Sequence, residues 1–359
     1  MAKSGGRSRS DVLIVGAGPA GCAAAIECAL AGLHVRLVER EMFPRYRPGE
    51  TLHPGIEALM VRLGVFEAVG KLNPLRHEGH WLVRNGDSEF VRFGRGEQGP
   101  WRGFQIVGAQ LDAALLARAR ELGVRVDQPC RVVSPIVRNC RAVGLRTAQG
   151  VVGSDVIIDA AGGQHWLARR MGLRVHRAAS RLIARYGYVR DPVPSVRENP
   201  SFEAHPDGWT WLARVKPGVL HWTTLELGRP GNGGLSSKGP PPSVAHLATL
   251  GRIRSADVTW RLVPESAGPG YFLAGDSAAV LDPASSHGVM KAIMSGMLAA
   301  QATIQALQGA HAAVDLQQGY RRWIAATFWH DVVRLQRLYE VNLERLRPRR
   351  RVGMAGRPG

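Results

Sequence analysis

The sequence predicts an α/β protein in which one layered domain is assembled from both ends of the chain around a β-rich insert, followed by a long C-terminal helix. Three observations predict it. A strand–glycine turn–helix–strand unit opens the chain at 11–39. Strand patterns dominate from about 180 to 263. α/β character then returns at "GYFLAGD", ahead of two helical stretches. A chain of 359 residues has room for this plan and for a sizeable core.

"DVLIV" (11–15) is a short apolar run with β-branched residues and reads as a buried strand. "GAGPAG" follows, then a small-residue helix, "CAAAIECALAG", closed by Gly32. "HVRLVER" is a second strand with Glu39 at its end. "ETLHPGIEALMVRLGV" (50–65) is predicted as a helix, and "WLVRNGDSEFVRF" as a hairpin turning at Asn85–Gly86. "AQLDAALLARARELG" (109–123) has apolar residues at helical spacing and predicts an amphipathic helix. Strand patterns follow at "VRV", "RVVSPIV", "AVGLRTA" and "SDVIIDAAGG", then at "LIARYGYVR", "GWTWLARV", "LHWTTLEL" and "DVTWRLV". A Gly/Pro/Ser loop, 228–243, separates the last two. A helix is predicted over 288–308. A longer one, 313–346, has Tyr320, Trp323, Ile324, Phe328, Val332, Leu335 and Leu338 on its packing side. No internal repeat is present. The first domain is expected to combine 8–70, 101–175 and 264–312, and the insert 71–100 and 176–263. The helix 313–347 and a disordered basic tail, 348–359, complete the chain.

Net charge is +18, an excess that fits an acidic partner, a nucleic acid or an arginine-rich genome. Basic residues cluster at the C-terminus, but no nucleic-acid motif with interleaved aromatics accompanies them, so nucleic acid is not the expected partner. The apolar fraction of 45% belongs to a globular protein. No apolar run is long enough to span a membrane and no signal-peptide core opens the chain, so a cytoplasmic location is expected. Cys22, Cys28, Cys130 and Cys140 show no metal or CxxC spacing. No metal site is expected.

Gly16, Gly18 and Gly21 form G-x-G-x-x-G between a strand and a helix. Gly16 permits the tight turn, Gly18 lets a pyrophosphate approach the backbone, and Gly21 lets the helix pack. Pro19 and Ala20 open a helix whose N-terminus favours negative charge. Glu39 lies 18 residues after Gly21 and is placed to accept from a ribose 2′-OH, with Arg40 beside it. The pattern predicts a dinucleotide with a free 2′-OH.

Three runs then carry a family resemblance. "YFLAGDSAAV", with Gly275 and Asp276, looks like the second FAD fingerprint of flavoprotein monooxygenases, whose Asp holds the ribityl chain. "DVIIDAAGG" resembles their third fingerprint through Asp159, with Ala where Gly is usual. "RPGETLHPGIEALMVRLGV" resembles their Gly-Glu segment, which implies Arg47, Glu50 and Thr51 near the flavin. The chain therefore resembles the group holding flavin-dependent aromatic hydroxylases and tryptophan halogenases. The resemblance implies FAD in a glutathione-reductase-like Rossmann domain of the group A flavin monooxygenase type, with a β-rich substrate domain.

Departures from the halogenase pattern matter. "DPASSHGV" resembles the run Asp-Pro-Leu-Glu-Ser-Thr-Gly-Ile, but Ser285 replaces its functional glutamate and His287 its threonine. "GWTWLAR" has Ala213–Arg214 in place of Ile-Pro. The expected reactive lysine is absent: Arg76, His77 and His80 occupy that region and Lys71 comes too early. Gly108 stands where many relatives have an FAD-contacting arginine. The Asp-Pro-x-Ser-Ser-His-Gly run is more similar to the FAD-dependent maturation proteins of tryptophylquinone enzymes. That resemblance implies oxygenation of a tryptophan in a partner oxidase or dehydrogenase precursor, through a flavin C4a-hydroperoxide. A small-molecule hydroxylase or halogenase-like enzyme, and a non-catalytic flavin-bound chaperone, are the alternatives.

Gly288 and Val289, at a helix start, are expected to offer N–H groups to the flavin. His287 is the candidate acid/base and Ser286 a candidate helix cap, with Glu50 and His53 as further catalytic candidates. Trp209 and Trp211 alternate on a strand and share a face, either as a substrate slot or as core. O2 is a co-substrate. There is no second GxGxxG, so electrons are expected from transiently bound NAD(P)H, a partner reductase or the substrate itself.

Overall fold

The computed structural model describes residues 9–84, 86–192, 198–205, 208–227 and 239–342. The chain starts with β1 (Ser10–Val15), α1 (Pro19–Leu30) and β2 (Val35–Val38). Both strands are apolar and almost wholly buried, as parallel strands covered on both faces must be. β3 (Gly49–Leu52), α2 (Ile56–Arg62), α3 (Phe66–Gly70) and β4 (Leu75–His77) follow. Here the predicted 50–65 helix needs correction. Residues 49–52 extend because they pair with a later strand, and Pro54–Gly55 delays the helix to Ile56. The predicted hairpin is present as β5 (Gly79–Arg84) and β6 (Asp87–Arg92); Asn85 of its turn lies outside the described residues.

A two-stranded ribbon, β7 (Arg95–Gly96) and β8 (Gly99–Pro100), leads into β9 (Gly103–Val107) and α4 (Gly108–Glu121). β9 receives β3 and β4 on its two sides. α4 buries Leu111, Leu115 and Leu116, the face its periodicity predicts. β10 (Arg125–Asp127) joins β2, and β11 (Val132–Arg138), β12 (Arg141–Thr147) and β13 (Gly150–Asp159) form a meander. The far end of β13 pairs in parallel with β1.

After α5 (Trp166–Arg170) and β14 (His176–Arg177) come β15 (Ile183–Arg190), β16 (Ser201–His205), β17 (Gly208–Lys216), β18 (Val219–Glu226) and β19 (Ala248–Asp257). With β5 and β6 they build a seven-stranded sheet in the order β19-β15-β18-β17-β16-β5-β6. Residues 228–238 of the Gly/Pro/Ser loop, and 343–359 at the C-terminus, lie outside the described residues.

β20 (Arg261–Leu262), β21 (Ala267–Gly268) and β22 (Tyr271–Leu273) return the chain to the first sheet, where β22 adds to β13 in parallel. β23 (Ala279–Val280), α6 (Gly288–Leu307) and α7 (Ala313–Asn342) end the described fold. α6 crosses α1 closely: a side chain at Gly296 would lie 2.1 Å from the Ala20 carbonyl oxygen. α7 buries Tyr320, Ile324, Phe328, Val332, Leu335 and Tyr339. Tyr339 ties it to the second sheet through Trp209 Nε1 (3.1 Å), and to the loop before α6 through Asp282 (2.8 Å). Among the described residues no helix is long and apolar enough to cross a membrane.

Candidate active site

The turn between β1 and α1 has the properties of a pyrophosphate cradle. Gly16 has φ +95° and its added Cβ would meet Ala160 O at 2.5 Å, while one on Gly21 would meet Gly16 O at 1.9 Å. Both glycines are therefore demanded by the protein itself. Gly18 differs: only Arg45 Nη2, at 3.6 Å, lies within reach of its missing Cβ. The space above it is open, the α1 N-terminus beside it has no side-chain cap, and Pro19 and Ala20 fill the first turn. Glu39, 3% exposed, accepts from the N–H groups of Ala17 (2.8 Å) and Glu41 (2.9 Å). Cradle, helix terminus and carboxylate fit the adenosine diphosphate half of FAD.

Arg40 is turned to solvent and pairs with Glu41, and Arg45, not Arg40, stands against the Glu39 carboxylate expected to meet the ribose. Arg45 bridges Glu39 (3.3 Å) and Asp112 (3.0 Å), and Arg47 reaches the same Asp112 at 3.2 Å. The sequence held one hint of this network. Asp112 is a charge on the buried face of α4, and such a charge requires partners.

Arg47, Glu50 and Asp276 meet electrostatically where β3 approaches the turn after β22. Burial raises Glu50 to about 7 against the pull of Arg47. Asp276 is likewise raised by its surroundings, with Arg47 and Arg261 opposing. Neither carboxylate has a hydrogen-bond partner among the described residues. Two carboxylates without hydrogen-bond partners on either side of Arg47, Glu50 half-buried and Asp276 exposed, suit the hydroxyls of a ribityl chain and the polar edge of a flavin ring. Gly108 borders Glu50. A side chain there would meet Pro48 O at 2.3 Å and Glu50 Cγ at 3.2 Å, which explains why no arginine stands at that position.

Two of the residues expected at the cofactor make several contacts within the protein. Asp159 is 0% exposed, and its oxygens accept from Ala161 N, Leu167 N and Ser277 Oγ. It fixes the turn after β13. Gly275, at φ +58°, is a close-packing position against Ala20, its N–H donating to Ser295 Oγ.

The stretch 282–288 forms a tight single turn before α6. Asp282 caps that turn by accepting from Ala284 N. Ser286, exposed and at φ +61°, does not cap α6, correcting the expected role. His287 is the N-cap residue, and its side chain makes no capping bond. Gly288 has nothing within 4 Å of a would-be Cβ, and Val289 is half-buried beside it, so this helix start is open.

His287 Nδ1 donates to Ser285 O at 2.9 Å, leaving a lone pair on Nε2. His53 is in the opposite tautomer: its Nδ1 accepts from Gly55 N at 3.1 Å, so Nε2 carries the proton. The two rings lie 5.1 Å apart, and Phe93 is 5.1 Å from His53. Burial, with Lys291 and His53 nearby, lowers His287 to about 4. At neutral pH it is therefore a neutral acceptor rather than an acid. Lys291 is bound in an ion pair with Asp331 of α7.

Cross-strand pairing puts one row of side chains on the face of the second sheet nearest β3. Tyr186 and Tyr188 of β15 pair with Thr223 and His221 of β18, and Thr223 pairs in turn with Trp211 of β17. Tyr188 lies 5.1 Å from His221, and His80 lies 5.8 Å from Trp211. Trp211 is half-buried and donates to Thr51 Oγ1 at 3.3 Å, which holds the row against β3. Trp209 is 0% exposed and stacked on Phe202, so it is core and not a slot. Tyr186, Tyr188 and Phe93 went unread, and His80 was read only as standing in the region of the absent lysine, because tertiary contacts alone bring them to this face. No group of three metal-type ligands occurs among the described residues.

Comparison with known proteins agrees with this geometry. Residues 11–44 match the family model of FAD-dependent oxidoreductases. The chain is 27% identical to a tryptophan 2-halogenase of Chondromyces crocatus, over 93% of this chain and 69% of that one. It is 29% identical to a menaquinone reductase of Mycobacterium tuberculosis, over 81% and 76% of the two chains. Its fold superposes on the myxobacterial halogenase CndH with a TM-score of 0.85 at 22% identity, covering 93% and 83%. Pseudomonas aeruginosa PqsL, solved in complex with 2-aminobenzoylacetate, gives 0.78 at 16% identity, covering 91% and 94%. The chain is an FAD-dependent oxidoreductase built on the fold shared by flavin halogenases and monooxygenases.

Proposed function

We propose that this protein hydroxylates an aromatic ring, and that the ring is a tryptophan side chain of a partner protein maturing into a quinone cofactor. The observation that carries the reading is the neutral imidazole pair, His53 and His287, at the open start of α6 near an aromatic sheet face. Bound FAD, reduced by NAD(P)H or a reductase, supplies the two electrons and the O2 chemistry that deliver one oxygen atom, the other leaving as water.

The chain's own residues would do the rest. Gly16, Gly18, Gly21 and the α1 terminus hold the phosphates, with Glu39 and Arg45 at the ribose. Arg47, Asp276 and Glu50 face the ribityl chain and ring edge, and Gly288 and Val289 offer helix N–H groups. Trp211, His80 and Tyr186 orient the substrate ring and exclude water. A ring carbon that has gained oxygen must lose its proton to become aromatic again, and His287 Nε2 is the free lone pair suited to take it. Glu50, near its midpoint at neutral pH, can carry a proton at the same site.

A second reading, halogenation or hydroxylation of a small aromatic molecule, is favoured by the likeness to a tryptophan 2-halogenase. Against halogenation, Lys71 and Lys216 are exposed and Lys291 is committed to Asp331, so no lysine among the described residues is free at the site.

One experiment separates these. The holoprotein, an electron donor, O2 and chloride are incubated with a tryptophan-containing partner precursor or with free tryptophan, and product masses are read. Gain of one or two oxygens on the precursor supports the proposal. Chlorine on free tryptophan overturns it. His287→Ala is expected to retain FAD while losing most of the oxygen gain; full activity removes the proton-accepting role.

A further inference from the structure

One stretch of the chain is strongly basic. Between Asp159 and Asp191 the sequence has seven arginines and no acidic residue. Arg169, Arg170, Arg174, Arg177 and Arg181 are all exposed, and none forms an ion pair among the described residues. Elsewhere on the surface Arg62, Arg76, Arg102 and Arg118 each have an acidic partner.

α7 adjoins this basic stretch. Its outer face presents Trp329 and Val333, each 44% exposed, and the Trp329 ring lies 5.7 Å from His176 beside Arg177. Arg334 and Arg337 continue the same face, with Glu340 an exposed acid one turn beyond Arg337, while Asp331 is turned inward to Lys291. An exposed tryptophan next to an aliphatic residue, rimmed by unpaired arginines, has the composition of a protein-binding anchor.

The face also leads to the site. The Asp331–Lys291 pair bridges α7 to α6 one turn beyond His287. Arg334 acts electrostatically on both His53 and His287.

We infer that the outer face of α7, with the arginine cluster around β14, is a docking surface for an acidic polypeptide that presents its ring at the His53–His287 entrance. This rests on the protein-substrate reading above and names where the substrate is held. Trp329 supplies the apolar anchor. The arginines supply steering and orientation, so association should weaken steeply with salt.

The test uses FAD-loaded protein and a fluorescein-labelled peptide with one Trp among about ten Glu and Asp residues. The controls are a peptide with Gln and Asn in their place, and a DNA duplex of matched charge. Binding is read by anisotropy at two salt concentrations. The acidic peptide is expected to bind best. Its Kd should rise about tenfold in Arg170→Glu/Arg174→Glu/Arg177→Glu, and severalfold in Trp329→Ala, with FAD content unchanged. Equal affinity in wild type and both variants overturns the proposal, as does DNA binding tighter than the acidic peptide. Oxygenation of the bound peptide is scored separately. Binding without oxygen gain leaves the docking surface standing and rejects tryptophan hydroxylation.

Discussion

Gly18→Ala isolates the cofactor cradle from the fold. Gly18 has φ −74° and ψ −177°, a conformation open to any residue, and its added methyl would touch nothing nearer than Arg45 Nη2 at 3.6 Å. The two effects on the protein without FAD oppose one another. Alanine is a poorer helix N-cap than glycine, but it restricts the unfolded chain, so stability should move by less than about 1 kcal/mol. With FAD the methyl occupies the space a phosphate oxygen needs. Overpacking of this size costs about 1–3 kcal/mol, and each 1.4 kcal/mol is tenfold, so the Kd for FAD should rise about 5- to 150-fold. Flavin fluorescence titration measures the affinity, and urea unfolding of apoprotein measures the fold. Gly21→Ala is the control: its methyl would sit 1.9 Å from Gly16 O, so the apoprotein itself should lose more than about 3 kcal/mol. If Gly18→Ala binds FAD as tightly as the wild type, the phosphates do not lie at the α1 terminus and the cofactor argument fails.

The two strand tryptophans should separate by assay. Trp209→Phe gives up the bond to Tyr339 and should lower stability by about 1–2 kcal/mol, with the substrate KM unchanged. Trp211→Ala should leave FAD content intact and lower kcat/KM for the aromatic substrate. The buried histidines predict acid sensitivity. His77 and His221 are 2% exposed and held by burial at about 4 and about 3, from an ordinary 6.5. Below about 6.5 the unfolded chain takes up protons that the folded chain refuses, so stability is full above that pH and falls as pH drops toward 4. Urea unfolding at pH 7.5 and pH 5 should differ by about 2 kcal/mol per histidine, and His221→Phe should remove its share. A difference that survives that substitution in full would place the acid sensitivity elsewhere.

The sequence by itself determined whatever depends on neighbours along the chain. Gly16, Gly18, Gly21 and Glu39 sit at fixed separations between a strand and a helix, so their spacing alone located the dinucleotide turn. The helical periods at 109–123, 288–308 and after 313 likewise follow from local amphipathicity. Tertiary structure decided the rest, because those contacts run between distant segments. Strand β3 exists because β9 pairs with it, whereas its sequence taken alone reads as the start of a helix. Arg45, and not Arg40 (the residue after Glu39), stands against Glu39 because Asp112, 67 residues from Arg45, holds its guanidinium there. Trp209 and Trp211 share a face, yet only Trp209 is sealed by Phe202 and Tyr339. His287 was legible as a residue of interest. Its neutral state and its partner His53 came only from burial and from carbonyl and amide contacts that no spacing rule encodes.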